Sequence, residues 1–218
     1  MQYESLIFDI DGTLWDSRAL VAEGYNIQLE QEGYSHLKVD AEILRVEFGK
    51  TMKEIADDLL GSLPEEQRYA LMERCMETEN RYLQENPCRI GYPGVAETIR
   101  ALAEKHRLFI VSNSQQGYPE LCISKLGLGE CFQGHLCFGD TNRCKGETLK
   151  ILMQQHGITS CAYIGDTQGD MEAAYLAGMP FIWAAYGFGT PEKFDARIDD
   201  IRQLLQLEPH RVRKDNSV

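Results

Sequence analysis

The chain has 218 residues, 43% of them hydrophobic, enough for one sizeable domain or a core with a smaller appendage, which excludes an intrinsically disordered chain. Asp and Glu outnumber Lys and Arg 34 to 22, for a formal net charge of -12. This excludes broad binding to nucleic acid or anionic membrane, which needs basic faces, and any anionic substrate must be met by a local cation or a metal. No stretch approaches the roughly 18 uninterrupted apolar residues of a membrane span, and no basic segment followed by an apolar run opens the chain. The cysteines number seven and include no C-x-x-C pair, so reduced, mostly buried thiols in a cytoplasmic protein are expected rather than a disulfide frame or a zinc site.

The first element, Ser5 to Phe8, is too short and too apolar for an amphipathic helix and reads as a buried parallel strand. Asp9 therefore emerges at a strand's carboxyl end, where ligands bind in open α/β sheets. Strand alternation puts Asp9 and Asp11 on one side, with Ile10 turned into packing. Two carboxylates this close repel, and a divalent cation or one retained proton relieves them. After a turn at Gly12 and Thr13, Asp16 or Ser17 caps a helix running to Leu29. A helical block follows: Ala41 to Phe48, Thr51 to Leu60, and a long helix from Pro64 towards Gln84, broken at Gly49 and Gly61. Asn86-Pro87 and Gly91-Tyr92-Pro93-Gly94 end it.

From Gly94 the pattern alternates. Helices are expected at Val95 to Lys105, Pro119 to Leu126, Lys145 to His156 and Asp170 to Ala177, and strands at Leu108 to Val111, His135 to Phe138, Cys161 to Ile164 and Pro180 to Ala184. A last helix is expected at Asp199 to Leu207, before a frayed polar tail from Pro209. Such alternation implies parallel strands, right-handed crossovers and helices on both faces. The fold class is thus α/β, a Rossmann-like parallel sheet core with a small all-α insertion after the first strand. Residues 1–15 and 89–218 form the core and 16–88 the helical domain.

Three apolar strands end in polar clusters: Phe8 before Asp9-Ile10-Asp11, Val111 before Ser112-Asn113-Ser114, and Ile164 before Gly165-Asp166-Thr167-Gln168-Gly169-Asp170. In a parallel sheet all three lie along one edge. One aspartate after a strand is ordinarily a helix cap, and Asp170 alone fits that description. A lone Lys145 is ordinarily a solvated helix end, with Lys150 as its fallback. Two rival motifs fail on spacing. Gly139 to Lys145 has Cys144 where a phosphate-binding P-loop needs glycine, and Thr13 and Leu14 break an EF-hand loop.

Asp9-x-Asp11-Gly12-Thr13, Ser112 after a strand, Lys145 opening a helix and Gly165-Asp166-x-x-x-Asp170 together resemble, in order, the four motifs of the haloacid dehalogenase superfamily of phosphohydrolases. The helical insertion resembles that superfamily's mobile cap, as in phosphoglycolate phosphatases and beta-phosphoglucomutases. The resemblance implies Asp9 as nucleophile forming an aspartyl phosphate, and Asp11 as general acid and base. It implies Mg²⁺ held by Asp9, Asp11 (through its backbone carbonyl), Asp166 and Asp170. Thr13, Ser112 and Asn113 would bind the substrate's phosphate, with Lys145 as a fixed positive charge. The dehalogenase branch lacks an aspartate at the position of Asp11, which favours phosphate-ester chemistry. Cap hinges are expected near Leu14 to Ser17 and Pro87 to Pro93, and Arg45 and Lys50 offer cations near a specificity loop at Phe48 to Thr51. The expected activity is hydrolysis of a small phosphorylated metabolite (phosphoglycolate, a sugar phosphate or a nucleotide) by a monomer or weak dimer. The alternatives are a phosphosugar mutase and a catalytically silent binding protein of the same fold.

Overall fold

The computed structural model describes residues 3–207. The expected frayed tail from Pro209 lies outside them. Six strands, β1 (Ser5–Phe8), β2 (Arg107–Ser112), β3 (Phe132–Cys137), β4 (Cys161–Gly165), β5 (Phe181–Ala184) and β6 (Ala196–Ile198), form one sheet in the order β3-β2-β1-β4-β5-β6. Every neighbouring pair is parallel. Phe8 pairs with Ile110 on one side and Ile164 on the other, so the carboxyl ends of β2, β1 and β4 lie side by side. The chain winds outward from β1 to β3 and then returns to add β4 on β1's other side. The crevice beside β1 is thus the switch point where α/β sheets bind ligands.

Side-chain alternation divides the core between the two faces of the sheet. Leu6, Phe8, Ile110 and Ile164 pack with α5 (Val95–Ala103) and α6 (Tyr118–Leu126). Ile7, Phe109, Val111 and Tyr163 face α8 (Lys145–His156) and α9 (Gln168–Leu176). Between β1 and α5 lies a block of helices: α1 (Arg18–Gln31), α2 (Ala41–Glu47), α3 (Met52–Leu59) and α4 (Glu65–Glu85). Local chemistry delimits these helices. The Asp40 side chain accepts from the Glu42 and Ile43 amides, and Thr51 with Glu54 forms a capping box. Leu29, Leu44, Leu71 and Leu83 of the block join the core that includes Leu6 and Phe8. Where the chain leaves and re-enters the sheet layer, the Asp16 amide donates to Ile90 O (2.8 Å) and the Tyr92 amide to Leu14 O (3.1 Å).

Three expectations at the sheet's periphery are corrected. The strand expected at His135 to Phe138 runs from Phe132 to Cys137, and Phe138 opens a short helix, α7 (Phe138–Thr141). Its start was masked because Gly134 gives no apolar signal; a Cβ there would meet the His156 ring at 2.7 Å. The edge strand β6 was not foreseen, being only three residues long. The last helix is a 3₁₀ segment, Ile201–Gln206, begun by Asp200 accepting from the Arg202 amide.

Phe109 is fully buried, its ring 4.8 Å from that of His156. Phe109→Ala is expected to cost about 3–5 kcal/mol in urea unfolding; a loss below about 1 kcal/mol would contradict close packing on this face.

Candidate active site

The turn after β1 builds the site. The Asp9 amide donates to Ile164 O (2.8 Å), carrying the strand pairing one residue beyond β1. The amides of Thr13, Leu14 and Trp15 then all converge on Ile10 O, curling the chain tightly. Gly12 is required here twice over. Its φ is +81°, and a Cβ would lie 2.2 Å from Asp166 Oδ2. The glycine thus lets the β1 turn close directly upon the tip of β4.

Asp9, Asp166 and Asp170 are buried together, with carboxylate oxygens all within 4.8 Å of one another. Lys145, at the first position of α8, joins them: its Nζ donates to Asp9 Oδ1 (2.9 Å) and Asp170 Oδ1 (2.6 Å). Burial works against the ammonium, but the charges of Asp170 and Asp9 outweigh it and hold the Lys145 pKa above its ordinary value. Burial pushes Asp9 up to about 7, with Asp170 adding to the rise and Lys145 opposing it. Asp166 is raised well above the usual carboxylate range by burial and by Asp170 and Asp9, although its Oδ2 accepts from the Phe188 amide (2.7 Å). Asp170 is lowered: burial would raise it, but Lys145 and the Thr167 hydroxyl and amide prevail. Asp170 is also the third residue of α9, closing a capping box with Thr167, rather than the N-cap itself.

Asp11 stands apart. Its Oδ1 accepts from Trp15 Nε1 (2.8 Å), Ser17 Oγ (2.6 Å) and Tyr118 Oη (2.9 Å). Burial raises it to about 6 against those three donors. Its carboxylate lies outside the three-aspartate cluster. Above Asp9 a cavity of about 40 Å³ is walled on the sheet side by Ser112, Asn113 and Lys145, and on the helical side by Tyr25, Lys50 and Glu79. The helical block reaches down to close it. Asn113 Nδ2 donates to Gly49 O (2.7 Å), Gln115 Nε2 to Asn80 Oδ1 (3.0 Å), and the Phe48 and Phe188 rings meet at 5.9 Å.

The structure therefore gathers Asp9, Ser112, Asn113, Lys145, Asp166 and Asp170, while the Thr13 hydroxyl, 3.5 Å from Asp166 Oδ1, supports the cluster from below. Lys145, not the exposed Lys150, is the lysine at the cluster. Lys50 reaches the cavity, but its Nζ is held by Glu47 (3.0 Å) and Asp58 (2.7 Å); Arg45 is exposed and does not line the cavity. Sequence reading missed Trp15, Ser17 and Tyr118 around Asp11, and Tyr25 and Glu79 in the opposite wall. A faint signal existed for Glu79. It falls on the stripe Met72, Met76, Leu83 of α4, where an apolar residue is the rule.

Comparison with known proteins agrees with this architecture. A computed search of solved structures finds a putative haloacid dehalogenase-like hydrolase from Bacteroides fragilis at a TM-score of 0.81, 22% identical and covering 93% of this chain and 100% of that one. A predicted phosphoglycolate phosphatase from Haemophilus somnus follows at 0.79, 22% identical, covering 94% and 98%. Proteins named phosphoglycolate phosphatase are similar in sequence. That of Rhodobacter capsulatus is 28% identical over 84% of this chain and 85% of its own length, and that of Haemophilus influenzae 26% identical over 94% and 98%. The family model for haloacid dehalogenase-like hydrolases matches residues 6–184, spanning the β1 turn, the helical block, Lys145 and the Asp166–Asp170 pair, and the chain belongs to that family.

Proposed function

We propose that this protein is a Mg²⁺-dependent phosphatase that hydrolyses a small phosphomonoester through an aspartyl-phosphate intermediate. The observation carrying the reading is the pair of aspartates two residues apart in opposite environments. Asp9 sits in the acidic cluster with Lys145, and Asp11 is outside it among neutral hydrogen-bond donors. Names of the relatives quoted above support the same reaction class.

The three clustered carboxylates offer only oxygen ligands, as a hard divalent cation prefers, and carry more negative charge than Lys145 offsets. Asp9, Asp166 and Asp170, with the Asp11 backbone carbonyl, would hold Mg²⁺. When bound, the ion supplies charge neutralisation between carboxylates and the incoming phosphate. Lys145 fixes one Asp9 oxygen and leaves the second to attack phosphorus. The Asp9 O–P bond forms as the bond to the leaving oxygen breaks, and Asp11 delivers its proton to that oxygen. Asp11, now ionised, takes a proton from water as the water attacks the phosphoryl group, freeing Asp9 and inorganic phosphate. Ser112, Asn113 and the backbone amides at the tip of β2 bind the phosphoryl oxygens. Residues 16–88 act as a cap whose closure over the cavity excludes water.

Charge balance supports the two roles. Without a cation, burial raises both Asp9, to about 7, and Asp11, to about 6. A cation at the cluster lowers Asp9 most, because Asp9 belongs to the cluster and Asp11's carboxylate does not. The nucleophile is then ionised and the acid protonated.

Asp9→Asn is expected to abolish release of inorganic phosphate, while Asp11→Asn slows alkyl phosphates by about 10²–10⁴ and aryl phosphates, whose leaving groups need no proton, much less. Equal losses across leaving groups would count against Asp11 as the acid. Since Asp11 must carry its proton in the first step, kcat/KM for alkyl phosphates should fall as pH rises past about 6, and that limb should vanish in Asp11→Asn. Lys145→Met strands three buried carboxylates, so it should lower stability by about 3–5 kcal/mol in chelator, with partial recovery in millimolar Mg²⁺; a loss unaffected by Mg²⁺ would argue against metal binding at this cluster. Chelation should also eliminate turnover by the unmutated protein.

A further inference from the structure

Buried polar atoms are ordinarily paired, and each exception calls for an explanation. Among the described residues, Glu79 Oε2, Asn113 Oδ1 and Ser114 Oγ are buried and without a hydrogen-bond partner, and all three belong to residues lining the cavity over Asp9. Asn113 and Ser114 follow Ser112 at the tip of β2, on the phosphate side. Glu79 comes from α4, the opposite wall, and is 3% exposed. Its position is fixed by helix packing: a Cβ on Gly24 of α1 would lie 2.9 Å from Glu79 Cα, so the two helices touch there.

We propose that Glu79 reads the leaving group of the substrate, and that it selects a phosphomonoester bearing a hydrogen-bond donor, a hydroxyl or an ammonium, over one bearing a carboxylate. This rests on the phosphatase reading of the site. An unpaired carboxylate oxygen on a residue lining the cavity accepts a donor and, when ionised, repels an anion. A substrate carboxylate held there would face Glu79 while both cavity lysines are already engaged. Lys145 is bridged by Asp9 and Asp170, and Lys50 by Glu47 and Asp58. Burial pushes Glu79 up to about 8, the charge of Asp11 adding to the rise and Gln115 and Tyr25 opposing it; above that pH the carboxylate is ionised and repels an anion, and a donor on the substrate favours the ionised form. The cavity, about 40 Å³, has room for only a few water-sized groups beside the phosphate-binding residues, which matches a compact leaving group.

The test uses the full chain carrying Asp9→Asn, so that ligands bind without turnover, and titrates it calorimetrically in Mg²⁺ at about pH 9, above the Glu79 value of about 8, with glycerol 2-phosphate, phosphoethanolamine, 2-phosphoglycolate and ethyl phosphate. The hydroxyl or the ammonium ester should bind at least about tenfold more tightly than phosphoglycolate. Adding Glu79→Leu should erase that ratio. Adding Glu79→Gln should preserve the preference for a hydroxyl and erase one for an ammonium, which separates the two donors. Tightest binding of phosphoglycolate, a preference surviving Glu79→Leu, or no binding of any ester would overturn the proposal. Hydrolysis of p-nitrophenyl phosphate by the unmutated protein is measured in parallel. If that fails while the Glu79-dependent ratio persists, the phosphatase reading falls alone; if it succeeds without the ratio, the role of Glu79 falls alone.

Discussion

The arrangement at the tips of β1 and β4 depends on keeping three buried carboxylates beside one buried ammonium. Two unit charges 4–5 Å apart repel by about 3–4 kcal/mol even at an effective dielectric of about 20, and Asp9, Asp166 and Asp170 make three such pairs. Lys145 offsets one charge and leaves two. A divalent cation matches that remainder; protonation is the other remedy, and the raised pKa values of Asp9 and Asp166 express it. Much of the surrounding structure exists to hold these groups despite their repulsion. Gly12 permits the close approach, the Phe188 amide and Thr13 hydroxyl hold Asp166, and the α9 capping box anchors Asp170. Asp170 thus holds a helix terminus and the lysine together, and its two oxygens divide the work: Oδ2 takes the Thr167 and Asp166 amides, and Oδ1 the ammonium.

On the proposed mechanism that cluster needs a proton source kept out of its field. Asp11 is two residues from Asp9, yet the curl of the chain onto Ile10 O turns its carboxylate towards Trp15, Ser17 and Tyr118. Two of these three donors lie at the junction between the sheet and the helical block, and the third opens α6. The Asp11 carboxylate is therefore oriented by the same segment that carries the chain into the helices.

The β1 turn was legible because its determinants are local: an apolar run, two aspartates at strand spacing, and a glycine. The convergence of Ser112 and Asp166 upon Asp9 was legible for a different reason, since parallel strands with helical crossovers leave their carboxyl ends on one edge whatever the intervening sequence. Legibility failed where position depends on packing between distant elements. Tyr118 reaches Asp11 across 107 residues of chain, and nothing near Tyr118 advertises it. β6 is three residues long and owes its conformation to β5. Asp170 serves its helix end from the third position rather than as the N-cap its spacing suggested, and one carboxylate with two oxygens satisfies that helix end and a lysine at once.

The two walls of the cavity follow different rules, and this bears on how substrate choice is encoded. The sheet wall is set by backbone pairing: moving Asp9 relative to Ser112 or Asp166 would require breaking the register Phe8–Ile110 or Phe8–Ile164. The helical wall is held by side-chain contacts, such as Asn113 on Gly49 and Gln115 on Asn80, that can be exchanged without altering the sheet. On the proposed reading, chemistry on phosphorus would thus be set by the sheet, whereas the groups facing the rest of the substrate can vary residue by residue. Relatives about a quarter identical can share the first and differ in the second, so on the proposed reading the identity of the ester would be written in the side chains of the helical block that reach the cavity, the unpaired oxygen of Glu79 among them.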